Sequence, residues 1–438
     1  MRTGTKLGVA VLAVLAAVIG SITLQPFEFA WPPRSRLVLW SGPFDPLANV
    51  VLFVPLGFLY ALTRSAGAPT GGGGGGAAAA VWLRHVTRRA ALLGLALSAT
   101  IELVQILEPA RYPSPSDVLT NTLGAALGVR LHARLARWLG ADTPLVGRLA
   151  LELPVMGLVY VALPLCTLAA LTVADRGAPR TGAFGAGGLV GGGASVRAVG
   201  LALLAVFGGL LLGTAWRRHL AGAVGRVGGS GAPAAAAAAL WFGVGAVPAL
   251  ATAPGAFGAG LVGAAGAAWL VGRGGGSAAV RSVERRFESE ALARALPALL
   301  GYLLLLPFGD AAELASGGGG KLEILRRVET LVAFLVAGYL LAEAWGRREL
   351  RYRFVAWRVA LAAAGAVLAV RGLRLLADAA PPSAGAAAAL VAAAAYGGWI
   401  YHLQRAHVRA LVTGRVGGAG GAGGGGVAAR DDGRSRPA

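Results

Sequence analysis

An all-α, polytopic transmembrane bundle of about 12 spans is the fold class this sequence predicts, and three observations carry it. Hydrophobic residues make up 56% of the chain and charged residues only 14%. Apolar runs recur along almost the whole length, and arginines gather in the short segments between alternate runs. A bilayer's hydrocarbon core asks about 20 apolar residues of a spanning helix. The runs Val9 to Leu24, Leu151 to Val173 and Val199 to Leu212, the first and last counted with their flanks, are among the clearest to approach that length.

The first span, 7–25, follows Arg2 and Lys6 and resembles a signal peptide. Ser21-Ile22-Thr23-Leu24-Gln25-Pro26 offers no small-x-small cleavage site, so a retained helix is expected. Hydropathy then places spans at 45–63, 87–107, 117–137, 151–173, 197–215, 234–251, 256–272, 292–308, 328–345, 355–376 and 384–402. Between the second and third, the polyglycine run 71–76 has neither a preceding strand nor a following Gly-Lys-Ser/Thr, so it reads as a linker and not as a phosphate loop. The glycine- and arginine-rich tail 411–438 is expected to be disordered.

Short cytoplasmic loops are enriched in Lys and Arg. The loops holding Arg64/Arg84/Arg88/Arg89, Arg130/Arg134/Arg137/Arg148, Arg217/Arg218/Arg226, Arg273/Arg281/Arg285/Arg286 and Arg347/Arg348/Arg351/Arg353 are the basic ones. Both termini therefore come out cytoplasmic. The same clustering accounts for the net charge of +20 without nucleic acid as a partner, since no soluble basic domain is present to hold it. Cys166 is the only cysteine, which excludes an intrachain disulfide and a thiolate metal site. The five histidines, His85, His132, His219, His402 and His407, fall at separate helix ends without ligand-like grouping, so no metal and no cofactor are expected.

A repeat organises these spans. Pro26-Phe27, Phe53 and Gly57 recur as Pro307-Phe308, Phe334 and Gly338, and at a shorter offset Arg89, Pro113-Ser114 and Gly128 recur as Arg358, Pro382-Ser383 and Gly397. Four units are therefore expected: a four-helix unit at 1–140, a central four-helix region at 141–290, a degenerate second copy at 291–410 and the tail at 411–438. Both copies begin on the cytoplasmic side, which makes the repeat a parallel one. The second copy has lost polar residues: Glu102 corresponds to Arg371, Gln105 to Arg374, Asp117 to Ala386, Asn121 to Leu390, Asp45 to Arg326 and Asn49 to Thr330.

The first copy keeps them on helix faces. Asp45 and Asn49 lie at i and i+4 of the second span; Ser98, Glu102 and Gln105 lie at i, i+4 and i+7 of the third. Asp117, Asn121, Gly124 and Gly128 share a face of the fourth, and the hairpin loop between the third and fourth carries Arg111. Charge topology puts all of these near the outer surface. Glu102 sits roughly 7 Å inside the helix end at 1.5 Å per residue, too deep for free solvation. Asp117 in the first turn of its helix suits the helix dipole, and Ser116 is the expected N-cap. Gly124 and Gly128, with Gly57, allow close helix approach. Pro55 is expected to kink the second span, with Asn49 near enough to satisfy the freed carbonyl.

The order Asp45-x3-Asn49-x3-Phe53-x-Pro55-x-Gly57, Ser98-x3-Glu102-x2-Gln105, Arg111, Asp117-x3-Asn121-x2-Gly124-x3-Gly128 resembles the VanZ-like family. The resemblance covers the first third of the chain. It implies a bacterial inner-membrane protein and a link to resistance against the glycopeptide teicoplanin, by an unsettled mechanism. The chain departs from the simple family pattern in its central helices and second unit.

Three functional readings stay open. In the first, Asp45, Asn49, Glu102, Gln105, Arg111, Asp117 and Asn121 form an outer-facing pocket for membrane lipid head groups or a lipid-linked cell-envelope precursor, with Arg111 pairing a phosphate or carboxylate. In the second, Glu102 is the general acid or base of a membrane-embedded hydrolase or transferase. In the third, the protein transports lipid; the central spans show no ionisable groups in their middle parts, which weighs against a proton-driven carrier. Against all three stands mutual neutralisation, in which the charges only fasten the four-helix unit.

Overall fold

The computed structural model describes residues 3–24, 27, 29–31, 38, 45–64, 75–109, 111–138, 161–174, 192–217, 231–273, 294–306, 323–346, 352–376 and 382–419. Among these the structure is all helix, with no strand. The helices are α1 (Thr3–Thr23), α2 (Asp45–Arg64), α3 (Gly75–Gln105), α4 (Pro115–Trp138), α5 (Leu163–Ala174), α6 (Gly192–Ala215), α7 (Ala232–Gly245), α8 (Val247–Thr252), α9 (Pro254–Gly272), α10 (Arg294–Leu306), α11 (Glu323–Gly346), α12 (Tyr352–Leu376) and α13 (Ala384–Ala419). Five segments, in α1, α6, α9, α12 and α13, are long and apolar enough to cross a membrane; shorter apolar helices lie at 46–61, 163–173, 232–245 and 294–306.

Three boundaries differ from expectation for identifiable reasons. The third helix reaches back to Gly75, because Ala77 to Ala80 are strong helix formers and draw the end of the polyglycine run into the first turn. The expected span 234–251 breaks at Ala246 into α7 and α8. Pro248 lacks an N–H and its ring clashes with the carbonyl four residues back, so a new helix must start beside it. The last helix runs to Ala419, into the segment expected to be disordered; 420–438 lie outside the described residues.

The tightest pairings use glycine. On α2, a Cβ at Gly57 would overlap the Ala125 carbonyl of α4 and lie 2.6 Å from its carbon. A Cβ at Gly128 would lie 2.6 Å from the Phe58 nitrogen, and one at Gly124 3.0 Å from the Val50 Cα and the Phe53 Cβ. Backbone meets backbone here, as small residues permit in a membrane where apolar side chains gain nothing by leaving lipid. Phe53, Leu56 and Ala125 close over that crossing with Ile19 of α1 and Ile101 of α3.

The same crossing recurs between α11 and α13. A Cβ at Gly338 would lie 2.6 Å from the Ala394 Cα, and one at Gly397 3.0 Å from the Tyr339 nitrogen. A related contact joins α6 and α9, where a Cβ at Gly209 would lie 3.0 Å from the Ala264 carbonyl carbon and one at Gly213 2.6 Å from the Ala268 oxygen. α1 lies against both ends of the chain: Leu7, Val11, Val14 and Leu15 belong to the same buried cluster as α13, and the Tyr396 hydroxyl of α13 donates to the Ala10 carbonyl at 3.0 Å.

Opposite faces of α4 show what surrounds the bundle. Asn121, Gly124, Ala125, Gly128 and Val129 are buried, while Leu119, Leu123, Leu127 and Leu131, four residues apart, are exposed. An apolar stripe at helical spacing turned outward suits an apolar surround such as lipid.

Candidate functional site

The end of α3, the start of α4 and the loop after α1 converge at one end of the N-terminal unit. α3 stops at Gln105, where Ile106 and Leu107 close two turns, and the chain returns through Arg111 to Pro115. Pro115 occupies the first helical position of α4, where its missing N–H costs nothing. The residue before it, at the cap position, is thus Ser114 and not the expected Ser116. The Ser114 carbonyl accepts from the Asp117 N–H at 3.0 Å, and its hydroxyl lies 2.7 Å from that of Ser116.

Of the residues singled out from spacing, several hold backbone. Glu102 accepts the Ser114 N–H at 2.8 Å, which ties α3 to the first turn of α4. Gln105 donates to the Thr23 carbonyl at 2.8 Å, satisfying one of the acceptors orphaned at the end of α1. Asn121 donates to the Ser98 hydroxyl at 2.8 Å; both side chains are buried, and this joins α4 to α3. The Asn121 side-chain oxygen is buried with no hydrogen-bond partner among the described residues.

Two residues that spacing did not single out complete the arrangement. Glu108, fully buried, accepts the Phe27 N–H at 2.7 Å. Phe27 has φ of 64°, the left-handed region that non-glycine residues seldom adopt. The carboxylate acts on a residue 81 positions away, so no local pattern could flag it. Ser114, also buried, offers its N–H to Glu102. The loop after α1 is tied down further by Ala30 N–H to the Leu107 carbonyl at 2.7 Å and Val38 N–H to the Pro113 carbonyl at 3.1 Å.

What remains turned outward is a smaller group. Glu102, Arg111 and Asp117 are each half-buried, and Glu102 lies within electrostatic reach of both others. Asn49, half-buried on α2, makes no hydrogen bond to the carbonyl freed by Pro55, so the expected repair is not seen among the described residues. Asp45 begins α2, and its side chain lies outside the described residues. Around this group the aromatic side chains Phe29, Trp31 and Tyr112 are exposed, as rings at a membrane–water interface are. No cluster of three or more His, Cys, Asp or Glu side chains suited to a metal occurs among the described residues.

The arrangement sorts into a fastened base and an outer rim. The base, built by Gln105, Glu108, Ser98 and Asn121, uses its polar groups to hold loops and helices, apart from the buried Asn121 oxygen. The rim carries two carboxylates and a guanidinium in a partly open position, which can take up a group bearing both an anion and hydrogen-bond donors. Residues 8–137 match the family model described as VanZ/LLP1. No curated protein and no solved structure matches the chain.

Proposed function

Taking residues 8–137 as a VanZ-like membrane unit, we propose that Glu102, Arg111 and Asp117 form an outer-facing site for a cell-envelope ligand, a lipid head group or a lipid-linked precursor. The observation that carries this reading is the half-burial of all three at one loop junction, with Glu102 within electrostatic reach of both Arg111 and Asp117. Arg111 pairs the ligand's phosphate or carboxylate, and the two acids take its hydroxyl, amide or ammonium groups. Asp45 and Asn49, at the start of α2, extend the site. Phe29, Trp31 and Tyr112 support placing it at head-group depth.

In this reading the protein is a bacterial plasma-membrane protein of about 12 spans with cytoplasmic termini. The C-terminal helices are a second copy that kept the helix crossing and dropped the polar rim. The matching glycine contacts of α2 with α4 and of α11 with α13 support that relation. A contribution to glycopeptide resistance belongs to the same reading. Expression in a teicoplanin-sensitive bacterium should raise the tolerated concentration, and Glu102→Gln or Arg111→Ala should abolish the gain at unchanged protein level. An unaltered tolerance with the wild-type chain would detach resistance from the site.

The orientation has its own test. Cys166 is the sole cysteine and fully buried, so introduced cysteines are read against a clean background. Arg111→Cys should react in intact cells with a membrane-impermeant maleimide, and Arg84→Cys only after permeabilisation. The reverse pattern would invert the topology.

A further inference from the structure

The rim end of the VanZ-like unit holds acceptors that the described residues do not fill. Glu102 takes one hydrogen bond among the described residues, from the Ser114 N–H to Oε2, which leaves Oε1 open. The Asn121 side-chain oxygen has no hydrogen-bond partner among the described residues, and Asn121 is 4% exposed. A buried acceptor without a donor is costly, so an open one points to a donor from outside the chain. Asn121 stands four residues after Asp117 on one face of α4, and Ser98 four before Glu102 on one face of α3. The hydrogen bond from Asn121 to Ser98 joins these faces one turn below the rim, about 6 Å at 1.5 Å per residue. Deeper still, at Gly124 and Gly128, α4 and α2 meet backbone to backbone.

The charges agree with the acceptors. Glu102 and Asp117 are carboxylates within electrostatic reach of each other, with the Arg111 guanidinium beside them. Like charges so placed repel, and a cation between them relieves both. An alkyl ammonium brings that charge together with three N–H donors and no acceptor. A glycerol hydroxyl brings no charge, and a quaternary ammonium brings no donor. Arg111 has five N–H donors, enough to serve a phosphate as well as a neighbour of its own chain. We propose that the head group taken here is phosphoethanolamine carried on a lipid. Its ammonium lies between Glu102 and Asp117 with one N–H to the Asn121 oxygen, and its phosphate lies on Arg111. The exposed rings of Phe29, Trp31 and Tyr112 favour a lipid over a soluble source, because such rings sit at head-group depth. The inference rests on the ligand site proposed above and narrows its occupant.

Native mass spectrometry of the full chain, released from vesicles of equal phosphatidylethanolamine, phosphatidylcholine and phosphatidylglycerol, tests it. Wild type should retain phosphatidylethanolamine over each of the others at least about tenfold, the worth of one hydrogen bond to a charged group. Asp117→Asn and Asn121→Ala should each bring that ratio toward one while phosphatidylglycerol stays bound, a change of selectivity that a merely structural role would not produce. Asp117→Asn keeps the side-chain shape and decides the matter if Asn121→Ala does not accumulate. An unchanged ratio in both variants would leave the Asn121 oxygen to a buried water and overturn the proposal. Soluble phosphoethanolamine at matched concentration should not displace the lipid; displacement would overturn the lipid source. Arg111→Ala separates this inference from the reading beneath it. If that variant releases all three lipids while wild type holds them in equal amounts, the ligand site stands and the ammonium assignment falls. If it releases none, the ligand site itself falls.

Discussion

Gly57→Ala is expected to remove most of the folded protein from the membrane. The added methyl meets the Ala125 carbonyl and cannot be accommodated by a side-chain rotation, because both partners are backbone. α2 and α4 must move apart, and Phe53, Leu56 and Ala125 lose their contact. Overpacking of this kind costs about 1–3 kcal/mol where the structure relaxes, and more where it does not. Gly372→Ala supplies the control: nothing lies within 4 Å of a Cβ there, and alanine improves helix propensity. Fluorescence-detected size exclusion of the solubilised variants should show a collapsed peak for Gly57→Ala and a wild-type peak for Gly372→Ala. Gly338→Ala should resemble Gly57→Ala, because the α11 and α13 crossing is built alike. A normal peak for Gly338→Ala would count against the repeat.

Glu108→Ala is expected to release the loop that follows α1. Without the carboxylate the Phe27 N–H keeps only the Leu24 carbonyl, at 3.0 Å, and the left-handed backbone at Phe27 loses the partner that holds it. Removing a hydrogen-bond partner from a buried group costs about 1–3 kcal/mol, enough to raise local opening of that loop by one to two orders of magnitude. Hydrogen exchange at the Phe27 and Ala30 amides should accelerate accordingly, while Glu108→Gln, which retains an acceptor oxygen, should change little. Unchanged exchange in Glu108→Ala would show that the loop is held by other contacts.

What the sequence disclosed followed periodicity. The i, i+4 and i+7 spacing of Ser98, Glu102 and Gln105, and the i, i+3 and i+7 spacing of Asn121, Gly124 and Gly128, are visible because a helix repeats every 3.6 residues, and those residues do meet neighbouring helices or the first turn of α4. Pairings that depend on distant chain were hidden. Glu108 acts on Phe27 across 81 positions, and Arg197 on Glu329 across 132. Glu108 lies beyond the end of α3, and Arg197 stands in no polar stripe of α6. The cap of α4 was misplaced by two residues because Ser114 and Ser116 are equivalent in composition, and only Pro115 at the first helical position decides between them. The break at Ala246 was legible in Pro248 but lay inside a run apolar enough to pass as one span.

The roles within the polar set also separated only in three dimensions. Seven residues look alike as candidates, yet Gln105 and Asn121 are buried, whereas Glu102, which also holds the Ser114 N–H, and Arg111 and Asp117 are half-buried at the rim. Spacing gives the face of a helix; it does not give how far a loop folds over that face.

Native mass spectrometry of the protein released from membranes containing phosphatidylglycerol tests the central claim most directly. Wild type should retain anionic lipid through mild activation, and Arg111→Ala and Glu102→Gln should each lose most of it while keeping the wild-type unfolding midpoint. Equal retention by all three proteins would contradict an outer ligand site at Glu102, Arg111 and Asp117.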